Sequence, residues 1–209
     1  QTKGAGWGYV PTAPSDSWVT AWGAAALLAA RDAGVDVPKL SFSYILQWFD
    51  GATDKKDYHL GYAPGQMGRV NLAGGEAFLH HDTLSAFGGL MRLQIEGRPG
   101  ATVAAAERTV STDLPNPDPA RRDFCHWYFG TTLLAQRDQR KGTAWTAWTQ
   151  AVVRESLTLQ QTADTCALGS WLPDDRWSLM GGKVYATLMN ALTMEQVLGL
   201  APARAPRSK

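Results

Sequence analysis

Residue types that could carry acid–base, metal or nucleophilic chemistry concentrate in one stretch, Asp123–Gln136 (DFCHWYFGTTLLAQ). A carboxylate, a thiol and an imidazole stand close together at Asp123, Cys125 and His126, and these are weak candidates for catalysis. Asp123 also has a structural interpretation, because an Asp before an apolar run is a preferred helix N-cap that contributes about 1 kcal/mol. Cys125 and His126 are neighbours, so on a helix their side chains diverge by about 100° and are poorly placed to share a metal ion.

A second polar cluster is His80-His81-Asp82. In one interpretation a histidine such as His81 faces a central cavity, where it transfers protons or binds an ion. In the other, the two histidines flank a helix end and bond to carbonyl groups or water. Glu76 stands one helical turn before His80 and could pair with it.

Aromatic side chains are the third class of candidates. Nine Trp residues in 209 indicate either a large aromatic core or an aromatic-lined cavity. Five aromatic residues are candidates for lining such a cavity and holding an apolar ligand: Trp18, Trp22, Trp127, Tyr128 and Tyr185. Packing between helices is the alternative, and the cavity hypothesis predicts that some of these Trp are partly exposed.

Four apolar stretches of helical character recur about every 50–60 residues and must position these candidates. They are Ser15–Ala30, Asn71–Gly89, Asp123–Gln136 and Gly181–Leu198. Their apolar side chains lie on all sides, which predicts burial. Shorter or more amphipathic stretches separate them, at Leu40–Asp50, Ala101–Val110 and Thr143–Gln161.

This order predicts an all-α chain without convincing strands. Buried inner helices alternate with outer helices, which is typical of an α/α solenoid or a closed α/α toroid built from antiparallel hairpins. Seven helices would make about half of such a ring, or an open arc. Ser15 and Asp16 are the candidate N-caps of the first helix, and Gly34 is its predicted stop signal.

Composition and charge exclude several classes of function. The net charge is +1, and basic residues cluster only at Arg204–Lys209, which argues against nucleic acid and anionic membranes as partners. No apolar run approaches the roughly 20 residues that a membrane span needs. We expect one repeat domain over residues 1–200 and a polar tail over 201–209. Without an initiator Met or a signal peptide, the chain is expected to be processed or cut from a larger protein.

Three motifs resemble the prenyltransferase and squalene-oxidase-type repeats of the terpenoid cyclase and protein prenyltransferase superfamily. They are D-x-C-x-W-Y-x-G-T at Asp123–Thr131, Gln161 with Gly169-Ser170-Trp171, and Gly182–Thr187. The second is similar to the QW motif of squalene-hopene cyclases, and long bacterial repeat proteins of planctomycetes and myxobacteria share the likeness. The resemblance covers nearly the whole chain and implies an α/α toroid. It implies no single activity, since that fold hosts cyclases, transferases and binding domains.

The chemistry of this superfamily has only an incomplete counterpart here. Triterpene cyclases protonate their substrate with Asp-x-Asp-Asp, but the one adjacent pair, Asp174-Asp175, lacks the first Asp. Protein prenyltransferases hold zinc with an Asp-x-Cys pair and a distant His. Asp123 and Cys125 match the pair, yet no His stands near Tyr185. Zinc needs three or four ligands, so we expect no metal and no cofactor.

The two cysteines have two possible states. In an antiparallel toroid the loop that carries Cys166 and the helix start that carries Cys125 lie at the same end of the ring. They could therefore form a disulfide, which would imply an extracytoplasmic location such as the periplasm or cell envelope. Two free buried thiols are the alternative.

These observations predict a non-catalytic repeat domain that serves as a structural or interaction module of a larger, exported bacterial protein. Its partners would be other segments of the parent protein, or other subunits, that complete the ring. The alternative is an enzyme or binding protein that handles an isoprenoid or lipid in an aromatic central cavity. A carbohydrate-active barrel would need two carboxylates facing one cleft, from the set Glu76, Asp82, Asp123 and Glu195.

Overall fold

The computed structural model describes residues 5–11, 13–65, 69–71, 77–79, 81–119, 121–163 and 166–200. Over these residues the fold is all-α, as predicted, with one small antiparallel hairpin in which Val70 lies opposite Phe78. The helices are α1 (Ser17–Asp32), α2 (Lys39–Ala52), α3 (His81–Glu96), α4 (Ala101–Thr112), α5 (Phe124–Arg137), α6 (Gly142–Leu159) and α7 (Ser178–Leu198). The strands are β1 (Arg69–Asn71) and β2 (Ala77–Leu79).

The helices belong to two compact units. The first contains the described residues up to Thr109, and the second begins at Val110. In the first unit α1 packs against α2 and α3, and in the second α5 packs against α6 and most extensively against α7. The predicted domain over residues 1–200 thus contains both units, whereas the predicted tail over 201–209 lies outside the described residues.

The predicted start and stop signals of α1 are confirmed. Asp16 is the N-cap, and its Oδ1 accepts a hydrogen bond from Val19 N at 2.8 Å. Gly34 follows the C-cap Ala33 with φ +86°, a left-handed conformation that glycine adopts without steric penalty.

The predicted helix over Asn71–Gly89 is wrong in its first half. Asn71 lies in β1, Ala77–Leu79 form β2, and α3 begins only at His81. Each glycine costs a helix interior about 1 kcal/mol, so the Gly74-Gly75 pair in the sequence disfavours a helix there. At Gly88 close packing outweighs the same cost, because the Leu60 side chain fills the space that a Cβ would occupy.

Burial on all sides, predicted for the inner helices, is confirmed for α3 and α5 but not for α1 or α7, in which only one face is buried. Nearly every α5 residue is buried. In α7 only one face is buried, while Val184 and Leu188 on another face are 80% and 53% exposed. α7 also begins earlier than predicted and is interrupted at Gly182, whose φ of 62° and ψ of −162° are not helical.

α1 and α5 share a packing arrangement in which an indole ring lies on a glycine seven residues after the N-cap. A Cβ at Gly23 would lie 3.0 Å from Trp7 Cε3, and one at Gly130 would lie 2.6 Å from Trp148 Cζ2. Trp148 Nε1 also donates to Thr131 Oγ1 at 2.8 Å. Both glycines are therefore required for close approach of an aromatic ring to the helix backbone.

Candidate functional site

Most of the polar side chains that could do chemistry in the second unit meet where α5 begins and the segment before α7 crosses it. We call this set, which comprises Asp123, Cys125, Asp175, Ser178 and Tyr185, the α5–α7 cluster. Tyr185 is half-buried and the other four side chains are buried. Asp123, Cys125 and Tyr185 are candidates predicted from the sequence, whereas Asp175 is considered there only as part of the Asp174-Asp175 pair and Ser178 is not predicted.

Asp123 is the N-cap of α5, which confirms its structural interpretation. Its Oδ1 accepts hydrogen bonds from His126 N at 2.7 Å and from Trp177 Nε1 at 3.2 Å. A carboxylate at this position also lies at the positive end of the helix dipole. Its hydrogen bonds therefore hold the helix end and the neighbouring Trp177.

Asp175 supplies a second carboxyl group to the same helix end. Its Oδ2 accepts from Phe124 N and from Tyr185 Oη, both at 2.9 Å. Its Oδ1 accepts from Ser178 Oγ, while Asp175 N donates to the same hydroxyl at 3.2 Å. Asp175 thus joins α5 to the start of α7. The spacing Asp175-x-x-Ser178 just before an apolar helix is a local capping signal that could have identified it.

Cys125 continues this chain of hydrogen bonds. Its Sγ lies 3.2 Å from Tyr185 Oη, and since that hydroxyl donates to Asp175, the thiol is the donor. Burial, assisted by the charge of Asp123, raises the pKa of Cys125 well above its usual value. A protonated thiol is a poor nucleophile and a poor metal ligand, so the geometry does not favour either role for Cys125.

Burial dominates the electrostatics of the rest of the cluster. Burial, together with the charge of Asp123 and against the opposing effect of the donors, raises the pKa of Asp175 to about 6. Burial likewise raises the pKa of Tyr185, which stays neutral. The nearby Arg122 forms its ion pair with Asp174, at 2.5 Å between Nη1 and Oδ2.

His126 points away from the α5–α7 cluster, as predicted from its position next to Cys125. Its Nε2 lies 3.2 Å from Asp113 O, and its ring packs edge-on against Trp148 with 5.4 Å between centroids. Over the described residues, no three His, Cys, Asp or Glu side chains are grouped so that they could hold a metal ion.

The predicted disulfide between Cys125 and Cys166 is not formed. Both residues are free thiols, Cys125 buried and Cys166 exposed. The position beside Cys125 is taken by the Tyr185 hydroxyl of α7 rather than by the loop after α6 that carries Cys166.

The second polar cluster of the sequence is described only in part. His80 and Glu76 lie outside the described residues. His81 is the first residue of α3, and Asp82 lies in the first turn, where a negative charge complements the helix dipole.

Two of the predicted cavity aromatics, Trp18 and Trp22, lie together in the first unit. With Phe87 they form edge-to-face pairs, with ring centroids 5.6 Å apart for Trp18 and 5.1 Å apart for Trp22. Trp22 is 45% exposed, as the cavity hypothesis requires of some of these residues.

The other three predicted cavity aromatics lie in the second unit and have separate environments. Trp127 is fully buried and packs edge-on against Phe124 at 5.2 Å, which is core packing. Tyr128 is half-buried beside Phe129, with 5.0 Å between ring centroids. Tyr185 belongs to the α5–α7 cluster.

The segment that resembles a QW motif closes the loop between α6 and α7. Gln161 N donates to Ser170 O, and Gly169 N donates to Gln161 O, both at 2.8 Å. The buried Trp171 donates from Nε1 to Ser156 O at 2.8 Å. The motif therefore fastens this loop back onto the end of α6.

Comparison of the chain with known protein families, with curated proteins and with solved structures finds no match. The resemblance inferred from the motifs therefore stays a prediction. Among the described helices, none is both long and apolar enough to cross a membrane.

Proposed function

We propose that this chain is a non-catalytic helical repeat module that binds amphipathic helices of other subunits or of other segments of its parent protein. The observation that carries the proposal is an apolar line along α7, which we call the α7 stripe and define as Val184, Leu188, Ala191 and Leu198. The intervals of four, three and seven residues place these side chains along one side of a helix, on which the exposed Glu195 lies between Ala191 and Leu198. All four are exposed, with Val184 at 80% and Leu198 at 69%.

The opposite side of α7 is anchored, which makes the stripe a preformed surface. Ala186, Met189 and Asn190 are buried. Asn190 Nδ2 donates to Ala186 O at 2.9 Å, and its Oδ1 accepts from Ser156 Oγ of α6 at 3.1 Å. A surface that is ordered before binding loses less conformational entropy when a partner arrives.

The α5–α7 cluster supports a structural role for the polar side chains. The carboxyl groups of Asp123 and Asp175 accept hydrogen bonds from helix N–H groups and side chains of the same chain. Cys125 is held protonated, as its raised pKa requires. Polar groups that are already engaged in these hydrogen bonds support a structural role in joining the two helices rather than a catalytic role.

In this proposal α1, α3, α5 and α7 are the inner helices of an α/α repeat, and α2, α4 and α6 are the outer ones. The partners are helices that continue the repeat or complete a ring. Their apolar side chains would cover the α7 stripe, in the manner of helix–helix recognition. The disulfide on which an extracytoplasmic location rested is not formed, so the proposal names no compartment.

The proposal is tested with a labelled synthetic peptide of α7, Ser178–Leu198, as the probe helix. Fluorescence anisotropy should show binding to the chain with a Kd on the order of micromolar. Leu188→Glu in the chain should weaken binding at least about tenfold, because a charge would be buried in an apolar contact.

Leu157→Glu is the matched control, since Leu157 is an equally exposed leucine on α6, at 59%. It should leave binding unchanged. Absence of binding at about 1 mM peptide, or an equal loss in both variants, would contradict the proposal.

A second candidate function is binding of an isoprenoid or other lipid, and the exposed edge of the Trp18–Trp22–Phe87 group favours it. An isoprenoid alcohol such as farnesol should then bind the first unit, with heat measurable by titration calorimetry. Trp22→Ala should remove binding, while Tyr44→Ala, which truncates another exposed aromatic of that unit at 40%, should not. No heat with the wild-type chain would exclude this candidate.

A further inference from the structure

We propose that Asp175 is a proton-controlled latch that fastens the first turn of α7 to α5, tight while its carboxyl group is protonated and looser when it is ionised. This inference goes beyond the proposed function and does not depend on a partner. It follows from the arrangement of the α5–α7 cluster together with a break in α7.

The latch is one carboxyl group that joins three parts of the second unit. Asp175 accepts from the first N–H of α5 at Phe124, from Tyr185 in the body of α7, and from Ser178 at the first position of α7. A proton on Oδ1 would be shared with Ser178 Oγ, so the protonated carboxyl keeps all three contacts. Loss of these contacts would release the start of α7 from α5.

The turn held by the latch is separated from the body of α7 by a hinge. Gly182 has φ 62° and ψ −162°, a conformation essentially restricted to glycine, and it divides Ser178–Gly181 from the rest of the helix. Within that turn Leu179 and Met180 are 84% and 61% exposed, and Ser178 is the buried residue. A segment with few buried apolar contacts opens locally at low free energy. The hydrogen bonds to Asp175 therefore supply much of the free energy that keeps this turn in place.

The surroundings of Asp175 disfavour its charged form. Asp123, a second carboxylate, lies at the same helix end, and two carboxyl groups in one buried site resist simultaneous ionisation. The donors are neutral, and the Arg122 guanidinium forms an ion pair with Asp174. The titratable groups at the site are Asp123 and Cys125 of α5 and Tyr185 of α7, and the charged residues Asp174 and Arg176 flank Asp175 in the chain.

The direction of the pH dependence follows from the raised pKa of Asp175, about 6 in the latched state against 3.8 for an exposed Asp. The latched state binds the proton more tightly than the open state. The stability that this proton adds to the latched state is fully present below about pH 4 and is lost as the pH rises through about 6. Between about pH 5 and pH 8 the opening equilibrium should increase roughly tenfold.

Amide hydrogen exchange tests the latch on the wild-type chain, on Asp175→Asn and on the control variant Glu195→Gln. Protection factors, corrected for the intrinsic pH dependence of exchange, are compared at about pH 5 and pH 8 for Phe124 and Ser178–Tyr185. In the wild type they should fall roughly tenfold at the higher pH. Asp175→Asn should remove the dependence, because an amide does not titrate, and Glu195→Gln, which neutralises an exposed carboxylate of α7 outside the cluster, should retain it.

Equal wild-type protection at both pH values, or a dependence that survives in Asp175→Asn, would overturn the latch. If Asp175→Asn does not fold, carboxyl ¹³C titration of the wild type replaces it. A midpoint near 6 supports the proposal, and one below about 4.5 overturns it. Leu188→Glu should leave the exchange result unchanged, so the latch and the α7 stripe succeed or fail separately.

Discussion

The first turns of α1 and α5 are built on the same plan but differ in how many carboxyl groups they carry. Each helix has an Asp N-cap, Asp16 or Asp123, that accepts from a backbone N–H inside the first turn. At α1 the Tyr62 hydroxyl hydrogen-bonds directly to the capping Asp16. At α5 the corresponding hydroxyl, of Tyr185, bonds instead to a second carboxyl group, Asp175.

This difference changes what a helix cap can do. A single carboxylate at a helix N-terminus is stabilised by N–H groups and by the helix dipole. A second one, brought by a segment 51 residues away, must share a buried site with the first. The cap of α5 therefore carries two carboxyl groups and joins α5 to α7, whereas the cap of α1 carries one carboxyl group and a tyrosine hydroxyl.

The largest expected loss of stability comes from replacing the glycine on which an indole ring packs, Gly130 in α5 or Gly23 in α1. Gly130→Ala should lower the free energy of unfolding by about 3 kcal/mol, because its Cβ would lie 2.6 Å from the buried Trp148 ring. Gly23→Ala should have a smaller effect, since the nearest Trp7 atom is 3.0 Å away and Trp7 is half-buried. Denaturant unfolding measures both.

Gly51→Ala is the control for these substitutions. Gly51 lies in α2 with its nearest neighbour, Pro64 Cγ, 3.9 Å from an added Cβ. Alanine should stabilise the helix there by about 0.5–1 kcal/mol. An equal loss of stability at Gly51 and Gly130 would show that close ring packing is not the cause.

The next effect is the pH dependence of stability that Asp175 contributes. Because its folded pKa is raised to about 6, Asp175 favours the folded state at low pH and opposes it above about 6. The free energy of unfolding of Asp175→Asn minus that of the wild type should therefore increase by about 2 kcal/mol between pH 4 and pH 8.

The same difference measured for Asp16→Asn should have the same sign, because burial also raises the pKa of Asp16. It should be smaller, since Asp16 has no second carboxyl group beside it. A larger dependence at Asp16 than at Asp175 would contradict the comparison of the two caps.

The next comparison is between Tyr185→Phe and Tyr62→Phe. Each substitution removes the tyrosine hydroxyl that bonds to a carboxyl group at the start of α5 or α1. Tyr185→Phe should lower the free energy of unfolding by about 1.5 kcal/mol, because it leaves the buried Cys125 thiol without its acceptor and removes one of the hydrogen bonds to Asp175. Tyr62→Phe should cost about 0.5 kcal/mol, since Asp16 keeps its bond from Val19 N and Tyr62 is only half-buried. Thermal unfolding at pH 7 distinguishes these values, and equal losses would contradict the difference between the sites.

The smallest effect concerns the ends of the two helices. α1 ends with Gly34 in the left-handed region, whereas the turn after α5 places Gln139 and Arg140 there, at φ 49° and 59°. Gln139→Gly should therefore stabilise the chain by about 0.5 kcal/mol, and Gly34→Ala should destabilise it by about 1 kcal/mol. Denaturant unfolding of both variants tests this, and a destabilising Gln139→Gly would be the contrary result.

Local signals in the sequence were sufficient to predict most helices and both Asp caps. Asp16, Asp123 and Gly34 act on backbone groups within a few residues, so their types and spacing identify them. α5 was correctly predicted as buried because its apolar side chains extend around the whole helix. The strands around Asn71 were missed because an apolar, glycine-containing stretch fits a strand or a helix.

The parts of the site that depend on long-range contacts could not be predicted in the same way. Nothing local to α5 indicates that a loop carboxyl group 51 residues later will accept from Phe124 N. Likewise, apolar residues around α7 predict burial, but periodicity does not show which side is covered within this chain. Exposure of Val184 and Leu188 is a property of the assembled helices.

The unequal environments of the two free thiols give the protein an internal reporter of its own opening. Cys166 is exposed, so a thiol-specific reagent should modify it at the rate set by the reagent. Cys125 is buried and hydrogen-bonded to Tyr185, so it becomes reactive only in molecules in which α5 and α7 have separated. The slow phase of labelling therefore measures how often that joint opens, with no substitution in the protein and only its own two thiols as the labelled groups.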